Sequence, residues 1–139
     1  MDYIFRFKKE QMEHGWTLRP KIKIFLSHEQ KFKNMAAILD TGSDLNYIPQ
    51  EIAEYFNLNL SQKTYAAHGA EHDFEYKTSK IYIKLDHPHY PKRKLIDVIV
   101  PVKNPVHNEV ILGTDFLKEF IVTLDYGKGT IKLSDNKAK

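Results

Sequence analysis

The segment Ala36-Ala37-Ile38-Leu39-Asp40-Thr41-Gly42-Ser43-Asp44 constrains this chain more than any other. Its apolar run reads as a buried strand. The run stops abruptly at an acid, a hydroxyl residue and a glycine. Gly42 has no Cβ, so the chain can turn tightly there. Asp40 is therefore expected at a strand end, on a rigid base, with its carboxylate facing a cleft.

The rest of the chain is mostly period two. Tyr3-Ile4-Phe5-Arg6-Phe7 reads as a strand, and the polar residues 8–14 read as a connection ending at Gly15. Trp16, Leu18, Pro20, Ile22, Ile24 and Leu26 alternate with Thr17, Arg19, Lys21 and Lys23, which predicts a half-buried strand interrupted near Pro20. A polar loop at 27–31 leads into a strand from Phe32 to Leu39. Residues 48–56 carry a helix pattern, with Pro49 in the first turn and Ile52, Tyr55 and Phe56 on one face. Residues 63–77 alternate about Ala66-Ala67-His68-Gly69-Ala70 and predict a β-hairpin with a slim tip. Strands follow at 81–85, 95–102 and 110–113. Thr114 is placed to cap a short helix over 115–120. A final hairpin turns at Gly127-Lys128-Gly129. About nine strands and two short helices make this an all-β chain, favouring a closed or sandwiched barrel.

Composition narrows the function classes. With 139 residues and 42% hydrophobic content, the chain suits one globular domain with a sizeable core. The apolar runs are strand-sized, too short for a membrane helix, and residues 1–15 lack the apolar region of a signal peptide. A cytoplasmic location without membrane association is the expectation. With no cysteine, disulfide and thiolate chemistry are excluded. The net charge of +3 is mild for a nucleic-acid binder, and Lys92-Arg93-Lys94 reads as a solvated loop. His68 and His72 lie on a predicted hairpin, where helical ligand spacing does not apply, so no metal site is expected. Asn59-Leu60-Ser61 is a glycosylation sequon, but no segment of the sequence reads as a secretion signal, so its use is not expected.

Asp40-Thr41-Gly42, the hairpin around Gly69, and Ile111-Leu112-Gly113 before a short helix occur in that order. This ordered set resembles the retroviral-type aspartic proteases, the retropepsins, over roughly residues 16–133. The resemblance implies an all-β, closed acid-protease barrel with a short C-terminal helix and a glycine-tipped flap hairpin. Residues 1–15 would be an N-terminal segment carrying a dimer-interface strand, and 134–139 a polar tail. Segments 2–7 and 130–135 would pair between subunits.

The same resemblance implies function. Only one Asp-Thr-Gly is present, and the chain is too short for two such lobes. The second carboxylate would come from a second copy, giving a homodimer with Asp40 of each subunit at the two-fold axis. Thr41 would brace the two loops, Gly42 would let its backbone approach the carboxylates, and Asp44 would bind substrate main chain. Ala67, His68, Gly69 and Ala70 would form the tip that closes over a peptide. No cofactor or metal is needed. The expected activity is aspartic endopeptidase; the alternative is an inactive peptide-binding or structural dimer. Taken singly, Asp40 and Asp44 also read as turn caps, and Thr41 as a local turn hydrogen bond. The ordered set is what favours the catalytic assignment.

Overall fold

A computed structural model describes residues 1–68, 72–90, 93–103, 105 and 108–136. Among them, eleven strands and two helices follow in the order β1 (Asp2–Arg6), β2 (Lys8–Met12), β3 (Gly15–Arg19), β4 (Lys21–His28), β5 (Lys31–Leu39), α1 (Gln50–Phe56), β6 (Tyr65–His68), β7 (Asp73–Leu85), β8 (Lys94–Lys103), β9 (Val110–Leu112), α2 (Thr114–Leu117), β10 (Phe120–Asp125) and β11 (Thr130–Asp135). The mostly-β architecture agrees with the sequence pattern.

The strands pair in three sheets: β1-β11-β10, β2-β3, and β6-β7-β4-β5-β9 with β8 on the other side of β7. None of the three closes on itself through strand pairing, so the expected closed barrel is not what the ladders form. Instead, single bridges at Tyr47 connect to Ile99 of β8 and to Ile111 of β9. Tyr47 makes these as isolated bridges rather than as part of a strand.

Four local differences from the sequence pattern have physical reasons. First, the polar residues 8–12 form a strand rather than a connection. They pair with β3 from Lys8↔Arg19 to Met12↔Gly15, and Gly15 takes φ +132° at the turn. Second, β7 runs unbroken through Lys77-Thr78-Ser79-Lys80. It is paired with β8 along this stretch, and its polar residues are satisfied from the 59–61 loop: Ser79 Oγ donates to Asn59 O at 2.7 Å and Thr78 N to Ser61 Oγ at 3.0 Å. Third, Thr114 is the first residue of α2 rather than its cap. Gly113 holds the cap position, without a side-chain capping bond, and the helix is only four residues long. Fourth, the terminal strands β1 and β11 pair with each other within the chain, in register Asp2↔Ser134 through Arg6↔Thr130.

The alternation of β4 and β7 builds the core. Ile22, Ile24 and Leu26 meet Ile81, Ile83 and Leu85, all at 2% exposure or less. Strand β9 lies parallel to the end of β5, Ala37↔Val110 through Leu39↔Leu112, and both paired stretches are short continuous apolar runs. Such runs suit strands covered on both faces. A second, smaller apolar cluster contains Tyr47, Phe74, Ile99 and Ile111, with Ile38, Ala67 and Tyr76 packed against it.

Candidate active site

The parallel pair β5–β9 sets the site. Because the two strands run side by side in the same direction, both end together, and Asp40 and Gly113 follow as neighbours. Asp40 N donates to Leu112 O at 3.0 Å, which continues the ladder one residue beyond the strands. On the other side Leu39 N donates to Pro20 O at 2.9 Å. The backbone of the half-buried Asp40 is thus held from both flanks.

Beyond it the chain turns at once. Ser43 N donates to Asp40 O at 3.1 Å, and Gly42 N donates to Asp40 Oδ1 at 2.9 Å. A Cβ on Gly42 would lie 3.2 Å from that same carboxylate oxygen, so glycine is what lets the amide approach it. Thr41, Gly42 and Asp44 are exposed. They sit together at the mouth of the loop.

The loop is fastened to the start of α2. Thr114 N donates to Ser43 O at 2.8 Å and Asp115 N to Asp44 O at 3.2 Å. Gly113 is pressed against the loop so closely that a Cβ would come within 2.4 Å of Leu45 O and 2.5 Å of Ser43 O. The glycine after Ile111-Leu112 is therefore a contact requirement, not a flexible joint.

Asn46 was invisible as a functional candidate in the sequence, yet it holds the site together. Its side chain is buried, at 1% exposure. Nδ2 donates to Asp97 O and to Asp115 Oδ2, each at 3.0 Å, and Oδ1 accepts from Gly113 N at 3.1 Å. Both amide hydrogens and the carbonyl oxygen are used. The one available signal was a lone amide inside the otherwise apolar run Leu45-Asn46-Tyr47-Ile48. Around it, Ile99 N donates to Asn46 O at 2.8 Å, and Tyr47 and Ile111 exchange two bonds of 2.9 Å.

The predicted hairpin residues divide. Ala67 of β6 pairs with Phe74 and packs on the small apolar cluster that also contains Ile38, two residues before Asp40. His68 pairs with Asp73 and is exposed, its Nδ1 2.7 Å from Asp73 Oδ1. Gly69 and Ala70 lie outside the described residues. Between the loop and this hairpin, Leu45, Tyr76, Thr78, Asp97, Val98 and Ile99 line a cavity of about 250 Å³. A larger one, about 410 Å³, is bounded by Tyr3, Tyr90 and Phe120 and has no contact with Asp40.

No protein-family model and no curated protein matches the chain. Solved structures do match. A retropepsin-like aspartic protease from Rickettsia conorii superposes with a TM-score of 0.61 at 15% identity, covering 96% of this chain and 90% of that one. The EIAV protease, solved with the inhibitor HBY-793, gives 0.55 at 20% identity over 72% of this chain and 86% of its own. With Asp40-Thr41-Gly42 at the end of β5 and Gly113 locked against the loop that follows, this chain has the retropepsin-like aspartic protease fold.

Proposed function

We propose that the protein is an aspartic endopeptidase whose catalytic pair is formed by Asp40 from each of two copies. The observation that carries this reading is the half-buried Asp40 carboxylate, braced by Gly42 N–H, at the end of a rigid parallel strand pair in a retropepsin-like fold. One chain supplies one such carboxylate, and peptide hydrolysis by this chemistry needs two.

Two carboxylates about 3 Å apart cannot both ionise readily, so they share one proton. The ionised member takes a proton from a water held between them. That water's oxygen bonds to the peptide carbonyl carbon, while the protonated member gives its proton to the carbonyl oxygen. The tetrahedral intermediate collapses as the C–N bond breaks. The leaving nitrogen takes a proton from one carboxyl, the other carboxylate takes a hydroxyl proton of the diol as the product carbonyl forms, and the pair again holds one proton. The titration belongs to the pair. No cofactor or metal takes part.

Thr41 braces the two loops across the axis, and Asp44 at the rim binds substrate main chain. The hairpin formed by β6 and β7, with Ala67 and His68 at the described end of β6, closes over the peptide and excludes water. The cavity between Leu45 and Tyr76 receives a substrate side chain.

The test is cleavage of a diverse peptide mixture over pH about 4–7, read by mass spectrometry for wild type and Asp40→Asn. Cleavage by wild type that vanishes in the variant is the expected result. Peptide binding without cleavage by a folded dimer would replace this reading with that of a non-catalytic peptide-binding module.

A further inference from the structure

The β2–β3 hairpin is built inside out. Its register puts Glu10, Thr17 and Arg19 on one face and Lys9, Gln11, Trp16 and Leu18 on the other. The charged face is the one turned inward. Lys21, buried at 4% exposure, donates to Glu10 Oε2 at 2.8 Å and also to Glu109, while Arg19 Nη1 lies 3.4 Å from Glu10 and 3.7 Å from Glu109. The outward face carries Trp16 at 62% exposure and Leu18 at 44%. Water alone selects the opposite arrangement, since apolar area gains from leaving water and paired charges gain little from burial.

The hairpin's position says what covers this face. Strand β4 pairs with β5 as Lys21↔Ile38, and Pro20 O accepts from Leu39 N at 2.9 Å. Arg19, the last residue of β3, is the next step beyond Pro20, and Asp40 is the next step beyond Leu39. Trp16 is three residues further, about 10 Å at strand rise. Two copies that bring their Asp40 carboxylates together would therefore hold their hairpins beside the same two-fold axis.

We infer that the outward face of the β2–β3 hairpin, centred on Trp16 and Leu18, is the contact surface for the second copy of this chain; this rests on the two-copy catalytic pair proposed above. Lys9 Nζ sits over the Trp16 ring, 5.0 Å from its centre, and partly covers that face of the indole in the single chain. A large exposed tryptophan of this kind is the residue type that dominates interface energetics when it is covered.

Trp16 is the chain's single tryptophan, so it reports on its own burial. Wild-type protein is diluted from about 100 μM to 10 nM, a range that spans the affinities of typical dimers. Trp16 emission and acrylamide quenching are followed beside sedimentation velocity and peptide cleavage. The expected result is a red shift and stronger quenching with the same midpoint as dimer dissociation. Trp16→Ser/Leu18→Ser is expected to keep the wild-type circular dichroism and to dimerise at least tenfold more weakly. A dimer in which Trp16 stays fully quenchable, or a double variant that dimerises like wild type, overturns the inference and leaves the catalytic reading standing. A covered Trp16 in a dimer without cleavage upholds the interface and removes the catalysis. A wild type that is monomeric throughout overturns both.

Discussion

Two polar side chains are buried among the described residues, Lys21 and Asn46, and they flank the same strand end by opposite means. Asn46 is neutral and spends its hydrogen bonds on backbone and one carboxylate: Gly113 N, Asp97 O and Asp115 Oδ2. It ties together the 40–48 loop, β8 and the start of α2. Lys21 is charged and is surrounded by carboxylates from Glu10 and Glu109, with Arg19 completing the cluster. It ties the β2–β3 hairpin to β4 and to the start of β9. The amide gives directional bonds at a modest desolvation cost. The ammonium must recover a larger one through charge pairing. Glu10 Oε1 shows the looser geometry of this second cluster: it is close to Arg19 yet has no hydrogen bond. The position of the Asp40 loop therefore depends on the neutral network, and the attachment of the hairpin on the charged one.

The largest effect of a single substitution is expected at Gly113. Gly113→Ala puts a methyl group on two backbone oxygens that have no rotamer by which to escape. We expect a loss on the order of 4 kcal/mol in urea melts, among the larger effects of a single substitution. A loss under about 1 kcal/mol would mean that the loop and α2 are not locked together.

Asn46→Ala comes next. It leaves the buried Gly113 N–H without its partner and removes the bonds to Asp97 C=O and Asp115 Oδ2, and should cost about 3 kcal/mol. Turnover should fall with it, because the loop carrying Asp40 is released. Measured kcat that is unchanged in a destabilised Asn46→Ala protein would separate the network from the site.

Lys21→Met is expected to cost about 2 kcal/mol, less than loss of a fully buried pair, because Glu109 is partly exposed and can hydrate. Lys21→Met/Glu10→Gln should regain about half of that, since it removes the stranded charge along with its partner. No comparable rescue is expected for Asn46→Ala. Equal recovery in both networks, measured by chemical denaturation, would erase the distinction.

The smallest effect is in pH. The hydrogen bond from Lys21, aided by the charges of Lys21, Arg19 and Lys8, holds the Glu10 carboxyl below its ordinary value of 4.5 against the opposing effect of burial. A carboxyl with a lowered folded-state pKa adds stability above its unfolded value and loses it as the pH falls through the folded one. Wild type should therefore lose this contribution progressively below pH 4.5. The slope there should be shallower in Lys21→Met. Parallel slopes in thermal melts of the two proteins would show that the Lys21–Glu10 pair is not the source.

Legibility in the sequence followed the range of the interactions. Ala36–Leu39 ending in Asp40-Thr41-Gly42 could be read as a strand delivering an acid into a turn, because alternation, apolar runs and the missing Cβ of Gly42 are local properties. The strand at 110–112 was readable for the same reason, whereas the helix expected over 115–120 stops at Leu117, Phe120 opens β10, and β11 runs on to Asp135 into the expected polar tail. Trp16 and Leu18 share the alternation of Ile22, Ile24 and Leu26, and the sequence pattern placed all five on one buried face. Across Pro20 the burial reverses: Trp16 and Leu18 are exposed while Thr17 and Arg19 turn inward. Periodicity states which residues share a face; it does not state which face meets the core.

The all-β class, the turns near 27–31 and 127–129 and the place of Asp40 at a strand end were legible locally, since each follows from side-chain period and turn chemistry within a few residues; the β2–β3 hairpin, built from polar residues, was not. Only the tertiary structure decided the rest. It put Gly113 against the carbonyls of Ser43 and Leu45, made Asn46 the shared partner of three segments, and set Lys21 between Glu10 and Glu109. Those contacts join residues as far as 88 positions apart. Nothing in a short window distinguishes a polar residue that faces water from one that has found its partners across the fold.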